Sequence, residues 1–333
     1  MIKYNNDVYK LEYPTTQVIY GNDALDWLKN VRGKIAVVTT RSLLKSNILS
    51  QILNIINADV IEGPRQHTPE EDLQKLRDEL KNYNVVIGLG GGSVIDSIKL
   101  VFSGYFIAIP TTFSGAEHTS FGGFTSDGIK KVNMGKGADV IILDPRATLE
   151  TPKWLLLASG VRAIDHAVEA LYSRFSTPFT DALAIEGYKK LIRCLANIDV
   201  IENRLECQIG VWLSSITMRY VKMGISHVFG YVFGPRFNIP HGVTSCISLP
   251  SAIKLNYDVA KDKLKEIEFN SEPLYDFVEE FLRKIGTRKR LSEFAKLDEA
   301  LKYAKTFYEM VNDSGNPLRI DLNTAIKFIE EVY

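Results

Sequence analysis

Three histidines in the second half of the chain, His166, His227 and His241, are the side chains best suited to chemistry. Imidazole binds Zn²⁺ and Fe²⁺, and it also transfers protons near neutral pH. Two glycines and two prolines lie between His227 and His241, so we predict no continuous helix there and expect a turn that brings the imidazoles together. Both a shared metal ion and separate structural roles are compatible with this spacing.

Charged residues surround His166 at helical spacing within SGVRAIDHAVEALYS (159–173). Arg162 and Glu169 stand four residues before it and three after it, so all three share one helix face, whereas Asp165 is predicted to point about 100° away. A guanidinium on that face can bind a carboxylate through two parallel hydrogen bonds. The alternative for Arg162 is an ion pair with Glu169 or Asp165.

A second candidate site is the glycine-rich segment VVIGLGGGSVIDSIK (85–99), in which a buried strand runs into Gly90–Gly92. Ser93 followed by Asp96 resembles the start of a helix. Backbone N–H groups at a helix N-terminus suit a phosphate, and glycines allow close approach of a ligand. The segment matches neither G-x-G-x-x-G nor a P-loop, so a plain strand–helix turn is the alternative.

A second strand end follows at Thr111 and Thr112, within IPTTFSGAEHTSFGG (109–123). In a parallel sheet, neighbouring strand ends form the crevice in which nucleotides bind. The alternative for the threonine pair is a β-branched strand terminus with a hydroxyl cap. Taken together, the two loops favour nucleotide binding.

The elements that must position these residues differ between two parts of the chain. Over the first 150 residues, β-branched runs at 34–40, 84–91 and 138–145 alternate with helix-like segments such as 69–83. Apolar strands without alternation are typical of a parallel sheet buried on both faces. We therefore predict an α/β domain over residues 1–152.

Helical patterns dominate after Pro152, at 153–175, 180–197, 203–222, 243–256, 273–285 and 291–312. We predict an all-helical domain over residues 153–333. The cleft between the two domains is the expected place for a site.

Composition excludes several classes of protein. The 333 residues are 45% hydrophobic and carry 40 basic against 40 acidic side chains, which argues against a disordered chain and against a nucleic-acid binder. Cys194, Cys207 and Cys246 fit neither a disulfide framework nor a close-spaced zinc motif, so we expect reduced core thiols. No apolar stretch is long enough to span a membrane, and the N-terminus lacks a signal-like apolar region. We expect a soluble cytoplasmic protein.

These motifs, in this order, resemble those of the iron-containing (group III) alcohol dehydrogenase superfamily, which includes glycerol dehydrogenases and maleylacetate reductases and shares a fold with dehydroquinate synthases. The matching segments are GGGSVIDSIK (90–99), IPTTFSGAE (109–117), DGIKKV (127–132), SGVRAIDHAVEALY (159–172) and the His227–x13–His241 pair ending in Pro240-His241-Gly242. The last 75 or so residues carry no motif of this kind.

The resemblance implies an N-terminal Rossmann-like parallel-sheet domain, an all-helical domain in the dehydroquinate-synthase-like arrangement, and hydride transfer between them. The residues implied to bind the dinucleotide are Gly90, Gly91, Gly92 and Ser93 at the pyrophosphate, Asp96 near the glycine loop, and Thr111, Thr112 and Lys131 along the cofactor. Relatives are commonly homodimers or larger homo-oligomers, and the implied substrate is a small molecule.

In the metal-dependent members, one aspartate and three histidines bind iron or zinc, and the histidines map to His166, His227 and His241. The aspartate position is Arg162 here, and a further histidine position near the nicotinamide is Tyr231. Two unit charges about 4 Å apart interact by roughly 4 kcal/mol at an effective dielectric near 20, and a dication doubles that repulsion. We therefore predict that tight metal binding is weakened or lost.

Maleylacetate reductases resemble this chain in three local respects: a non-aspartate residue at the position of Arg162, a P-T-T-F-x-G-x-E loop one residue shorter than the dehydrogenase form, and a step such as His67-Thr68-Pro69. We predict a reductase of a carboxylate-bearing ketone or enone, with Arg162 gripping or charge-balancing the substrate. His241, then His166, or Tyr231 is predicted to donate the proton.

Cofactor preference follows from the residue after the first strand of the α/β domain. Many NAD-using relatives carry an acid there, whereas this chain has Thr40 followed by Arg41. A missing acid and a nearby guanidinium favour a 2′-phosphate, so we predict NADP(H) over NAD(H).

Three other functions are compatible with the residues. A metal-dependent alcohol or polyol dehydrogenase would use the three histidines on iron or zinc. A dehydroquinate-synthase-like lyase would need an intact metal site and more basic phosphate-binding residues, and Arg162 argues against it. A non-catalytic nucleotide binder would bind the cofactor without turnover.

Overall fold

The computed structural model describes residues 2–5, 8–10, 14–65, 68–126, 129–269 and 272–333. The strands are β1 (Ile2–Asn5), β2 (Val8–Lys10), β3 (Gln17–Tyr20), β4 (Ile35–Thr39), β5 (Asp59–Glu62), β6 (Val85–Gly90), β7 (Tyr105–Pro110), β8 (Phe121–Ser126), β9 (Ile129–Met134) and β10 (Val140–Leu143). The helices are α1 (Asn47–Ile55), α2 (Glu70–Leu80), α3 (Gly92–Val101), α4 (Lys153–Tyr172), α5 (Pro178–Leu195), α6 (Ile201–Ile216), α7 (Ile225–Arg236), α8 (His241–Leu264), α9 (Leu274–Lys284), α10 (Leu297–Leu301), α11 (Ala304–Asp313) and α12 (Leu322–Val332).

Six strands form one parallel sheet in the order β3-β10-β7-β6-β4-β5. Every residue of β4, β6 and β10 is buried, as the unalternating apolar runs predict, whereas β5 is an edge strand and is half-exposed. The chain leaves β4 toward β5 on one side and leaves β6 toward β7 on the other. The carboxyl ends of β4 and β6 therefore meet at the switch point, where this class of sheet binds its ligand.

The core on one face of this sheet is formed by the inward side chains of its central strands and by the helices that cover them. Val37, Ile87, Ile107 and Ile142 are fully buried and belong to one hydrophobic cluster with Ile52 of α1. Helix α1 begins after Ser46, whose side chain accepts a hydrogen bond from the N–H of Leu49. Such a cap satisfies one of the orphan donors at a helix start.

Helix α7 is continuous where the sequence predicts a break. The segment after His227 was expected to be broken by its glycines and prolines, yet α7 continues through Gly230 and Gly234 and ends at Arg236. The break comes only at 237–240, with Asn238 in the left-handed region at φ 51°. Pro235 lies in the last turn of α7. Gly230 is favoured in the helix because a Cβ there would lie 2.7 Å from Thr244 Oγ1 of α8, whereas a Cβ on Gly234 would make only ordinary contact at 3.6 Å.

Contacts among the described residues divide the chain into two compact units. One comprises residues 12–156 and 197–209 and holds the six-stranded sheet; the other comprises residues 1–11, 157–196 and 210–333 and is largely helical. The predicted order, a parallel-sheet domain followed by a helical domain, is confirmed. The predicted division at residues 152 and 153 stays a prediction.

Two further expectations have an outcome in the structure. Cys246 is a free, buried thiol, whereas Cys194 and Cys207 are disulfide-bonded, so the prediction of reduced thiols is wrong for two of the three. Among the described helices, none is both long and apolar enough to cross a membrane.

Candidate active site

The glycine-rich turn lies at the carboxyl end of β6. Gly91 is the N-cap of α3, which begins at Gly92, and the N–H of Thr111 donates to the carbonyl of Gly90. A Cβ on Gly91 would lie 3.1 Å from the Thr112 side chain, and one on Gly92 would lie 3.4 Å from Ser114 Oγ. The loop after β7 therefore lies directly against the turn, and a side chain at Gly91 would require Thr112 to shift by a few tenths of an ångström.

Thr40 and Arg41 lie at the same edge of the sheet, because β4 and β6 are parallel neighbours with Thr39 opposite Leu89. Thr40 follows β4, and its Oγ1 is 3.0 Å from Ser42 Oγ. The Arg41 side chain is exposed. The structure thus brings Thr40, the glycine turn and the Thr111–Thr112 strand end to one edge, as the sequence predicts.

Asp96 and Lys131 have protein partners. Asp96 Oδ1 lies 2.7 Å from Lys99 Nζ, and its Oδ2 accepts from the N–H of Gly123 at 3.0 Å. Lys131 is exposed on β9, and its Nζ donates to Ser126 Oγ at 2.9 Å. His67 of the His-Thr-Pro step lies outside the described residues, whereas Thr68 is buried at φ 51°.

The three histidines and Tyr231 come together in the helical unit. The ring of His166 lies 5.1 Å from that of His227, which lies 6.5 Å from Tyr231, and Tyr231 stacks on His241 at 6.2 Å. His166 and His227 are buried, whereas Tyr231 and His241 are half-buried. His166 Nδ1 also lies 2.9 Å from Ser215 Oγ. These rings form a continuous row, in which the predicted proton donors His241 and Tyr231 are at the more open end.

Arg162 is buried and pairs with Asp165, the partner on its own helix α4. Arg162 NH1 lies 3.3 Å from Asp165 Oδ2 and donates to Ser245 Oγ at 3.0 Å. Asp165 Oδ2 also accepts from the hydroxyls of Ser226 and Ser245. Arg162 Nε and Asp165 Oδ1 have no hydrogen-bond partner among the described residues.

The expectation that Asp165 points away from the site is wrong. That angle of about 100° is the one between Asp165 and His166. A second face of α4 carries Arg162, Asp165 and Glu169, which are spaced three and four residues apart. Helix α7 packs on that face, so Asp165 Oδ2 lies 3.6 Å from His227 Nδ1. A pattern on one helix does not reveal which face its partner helix will cover.

Glu169 is a fully buried carboxylate at the N-terminus of α7. Its Oε2 accepts from the N–H of Gly224 at 2.6 Å, and its Oε1 accepts from the N–H of Ser226 and the hydroxyl of Tyr172, both at 2.8 Å. His227 Nδ1 lies 2.7 Å from Oε2. Sequence reasoning had named Glu169 only as a possible partner of Arg162; its role in orienting His227 depends on the position of α7.

Burial disfavours the ionised form of the two carboxylates in this cluster. Burial raises the pKa of both Asp165 and Glu169, while the Arg162 guanidinium and, at Asp165, the His227 imidazole oppose that shift. Tyr172 is also buried, which raises its pKa well above the usual value. A guanidinium beside two carboxylates supplies the positive charge that these carboxylates need when ionised.

Asp165, Glu169 and His227 each present a ligand atom within 4.8 Å of the other two, a grouping that could hold a metal ion. Their surroundings do not fit a tightly bound dication. Both Glu169 oxygens accept backbone N–H groups, and Asp165 Oδ2 accepts two hydroxyls and contacts a guanidinium. A metal at Asp165 Oδ2 or at Glu169 would have to displace these donors, and one at Asp165 Oδ1, which has no partner among the described residues, would still have to tolerate the Arg162 charge.

Two family descriptions match this sequence: "Iron-containing alcohol dehydrogenase" over residues 14–145, and "Fe-containing alcohol dehydrogenase family, C-terminal" over residues 156–333. A maleylacetate reductase of Pseudomonas knackmussii is 26% identical over 345 residues, 97% of each chain. Another, from Rhizobium sp., is 30% identical over 227 residues, 65% of each chain.

Solved structures of the same fold include a maleylacetate reductase from Agrobacterium tumefaciens, with a TM-score of 0.88 at 22% identity over 98% of both chains. An iron-containing alcohol dehydrogenase from Corynebacterium glutamicum also gives a TM-score of 0.88, at 21% identity, covering 98% of this chain and 97% of that one.

Proposed function

This chain belongs to the iron-containing alcohol dehydrogenase family, and from that premise we propose that it is a maleylacetate-reductase-like enzyme that uses NAD(P)H to reduce a ketone or enone bearing a carboxylate. The observation that carries the proposal is Arg162, a buried guanidinium held by Asp165 at the position of a metal ligand in the metal-dependent members. Arg162 Nε has no partner among the described residues, so a donor remains for an anion.

The dinucleotide is assigned to the carboxyl edge of the sheet. In this proposal Gly90, Gly91, Gly92 and Ser93 receive the pyrophosphate, with Asp96 nearby and Thr111, Thr112 and Lys131 along the cofactor. The N–H groups at the start of α3 are suited to phosphate oxygens. Arg41, exposed beside Thr40, favours the 2′-phosphate of NADPH over NADH.

A nicotinamide dinucleotide held by the glycine turn would supply the hydride, which a ketone accepts at its carbonyl carbon and an enone at its β-carbon. Arg162 neutralises the substrate carboxylate and keeps it oriented through charge-assisted hydrogen bonds. A proton then goes to the carbonyl oxygen or to the adjacent carbon. We assign its transfer first to His241 and then to His166 or Tyr231, since His241 is half-buried and stacks on Tyr231.

The test compares acidic and neutral substrates in variants of Arg162. Arg162→Gln combined with Asp165→Asn removes both buried charges, so neither is left uncompensated. We expect kcat/KM for a keto acid to fall roughly tenfold to a hundredfold, the range of one hydrogen bond to a charged group, with little change for the matching neutral ketone. An equal loss of kcat/KM on both substrates would contradict the proposal that Arg162 binds the substrate carboxylate. Full activity of Arg162→Asp on the keto acid would contradict it as well.

A second candidate is a metal-dependent alcohol or polyol dehydrogenase that uses iron or zinc. The observation that favours it is the grouping of Asp165, Glu169 and His227, which lies beside the predicted ligands His166 and His241. Stoichiometric metal in dialysed protein, together with activity on alcohols that a chelator removes, would select this candidate over the first.

We also propose a cytoplasmic enzyme that acts on a small molecule as a homodimer or larger homo-oligomer. Reduced dinucleotides are maintained inside cells, which supports the location. Strand β3 lies at the edge of the sheet, and Tyr20 at its end is 57% exposed. An edge strand of this kind can pair with a second copy of the chain. Light scattering of the purified chain measures the assembly directly, and a monomer at micromolar concentration would contradict it.

A further inference from the structure

Lys99 is a fully buried lysine in the second half of α3. Its Nζ lies 2.7 Å from Asp96 Oδ1 and donates to the carbonyl of Ala116 at 2.8 Å, the carbonyl of Phe121 at 2.5 Å and Thr119 Oγ1 at 3.1 Å. An ammonium group has three N–H donors, so these four acceptors use all of them. Lys99 therefore has no donor left for a ligand.

Three of the four groups that Lys99 binds belong to one segment, residues 116–121, which connects β7 to the start of β8. Asp96, one turn earlier on α3, binds the same region through the N–H of Gly123. A Cβ on Gly122 would lie 2.7 Å from the carbonyl oxygen of Asp96, so the backbone of β8 packs directly against the backbone of α3 here. Two ionised side chains of α3 thus fasten the start of β8 to the helix.

This segment continues directly from the residues that lie against the glycine turn. Thr112 contacts the position of a Cβ on Gly91, while Ser114 and Ala116 contact that of Gly92. Ala116 is both the last of these neighbours and the first acceptor of Lys99. The position of the loop over the turn is therefore coupled to the Lys99 ammonium.

We infer that Lys99, paired with Asp96, is a positioning residue for the dinucleotide: it sets the loop 112–116 against the Gly91–Gly92 turn without touching the cofactor. The inference rests on the proposed function, since it assigns the dinucleotide to that turn. Asp96 acts here as the counter-ion of Lys99 and the acceptor of Gly123. A buried pair of this kind fixes geometry because removing one partner leaves the other uncompensated.

The experiment measures the Kd for NADPH by fluorescence titration in Lys99→Met and in a matched control, Lys136→Met. Lys136 also pairs with an aspartate three residues away, Asp139, at 2.5 Å, and also donates to a backbone carbonyl, that of Gly104. Gly104 and Asp139 precede β7 and β10, so the control removes a lysine–aspartate pair at the opposite edge of the sheet. Lys136 is partly exposed and its N–H donates to the Lys99 carbonyl, so the substitution leaves that backbone contact in place and changes only side-chain contacts.

We expect Lys99→Met to raise the Kd at least tenfold, while Lys136→Met changes it less than twofold and both variants keep a cooperative thermal transition. If Lys99→Met does not fold, Asp96→Asn takes its place, because an amide oxygen still accepts from Gly123 while the charge pair is lost. Lys99→Arg, which keeps the charge, is expected to recover part of the affinity.

Equal Kd values for the wild type and the Lys99 or Asp96 variants would overturn the inference and leave the proposed function standing. Equal weakening by Lys99→Met and Lys136→Met would also overturn it, because a general loss of stability would then account for both. Failure of the wild type to bind either NADPH or NADH would instead overturn the proposed function, and this inference with it.

Discussion

At the residue scale, the proposed function depends on Arg162, which occupies the position that the family resemblance assigns to a metal-binding aspartate. Arg162 is held by Asp165 and Ser245, and Glu169 holds His227. The positive charge next to the histidines is therefore that of a side chain, Arg162. We therefore expect this site to bind a carboxylate-bearing substrate better than a neutral alcohol.

Glu169→Gln is expected to destabilise the protein. Each carboxylate oxygen of Glu169 accepts a backbone N–H, from Gly224 and from Ser226, so an amide would turn its NH₂ toward one of them. Two buried donors facing each other cost about 1–3 kcal/mol. The measurement is the free energy of unfolding in urea.

Glu186→Gln is the control for that variant. Glu186 is a half-exposed residue paired with Lys190 on α5, and such surface pairs contribute less than about 1 kcal/mol. If both substitutions have the same small effect, the hydrogen bonds to Glu169 do not stabilise the start of α7.

At this scale the sequence grouped His166, His227, His241 and Arg162 only through the family resemblance, because spacing alone leaves a shared site and separate roles open. The structure brings these side chains together, and their roles stay predictions. The sequence assigned Asp165 to the wrong side of α4. Helical periodicity gives relative angles on one helix, whereas the stripe that becomes buried is decided by the helix that packs on it.

At the scale of elements, the N-terminus of α8 sets the position of His241. A Cβ on Gly242 would lie 2.7 Å from the carbonyl oxygen of Ala158 and 3.0 Å from the backbone nitrogen of Ser159. These are backbone atoms of α4 and cannot rotate away. The glycine after His241 thus allows α8 to approach the helix that carries Arg162.

Gly242→Ala is therefore expected to destabilise the protein by about 1–3 kcal/mol, the usual cost of overpacking, and to lower kcat by moving His241. The matched variant is Gly234→Ala in α7, where a Cβ would meet its nearest neighbour at 3.6 Å. That change should be neutral or stabilising by up to about 1 kcal/mol. Urea unfolding and turnover separate the two; a neutral Gly242→Ala would contradict the close packing of α8 on α4.

The strands of the sheet and the order of the helices were largely predictable, because burial on both faces leaves an unalternating apolar pattern. Helix α7 was not, since Gly230, Gly234 and Pro235 are poor helix residues on propensity alone. Tertiary contacts override that preference: Gly230 faces the Thr244 hydroxyl closely, and Pro235 falls in the last turn. The β8–β9 hairpin was also missed, because its small residues predict a loop.

At the scale of the whole molecule, cofactor binding is expected to raise the thermal midpoint. A ligand that binds only the folded state stabilises it by about 2.7 kcal/mol at a concentration a hundredfold above Kd. NADPH should therefore raise the midpoint more than NADH at equal concentration. Differential scanning fluorimetry provides the comparison.

Arg41→Glu is the variant that links this shift to the 2′-phosphate. Arg41 is exposed, so the substitution should leave the midpoint of the protein without ligand nearly unchanged. It should also make the NADH shift the larger one. A stronger NADH shift already in the wild type would contradict the assigned preference.

We expect this chain to work without a tightly bound metal, and the most direct test is elemental analysis of purified, dialysed protein, with keto-acid reduction assayed before and after chelation. Iron and zinc should be far below one ion per chain, and turnover should be the same after chelation. One iron or zinc per chain, with turnover lost on its removal and restored by its return, would contradict it and would establish a metal-dependent dehydrogenase instead.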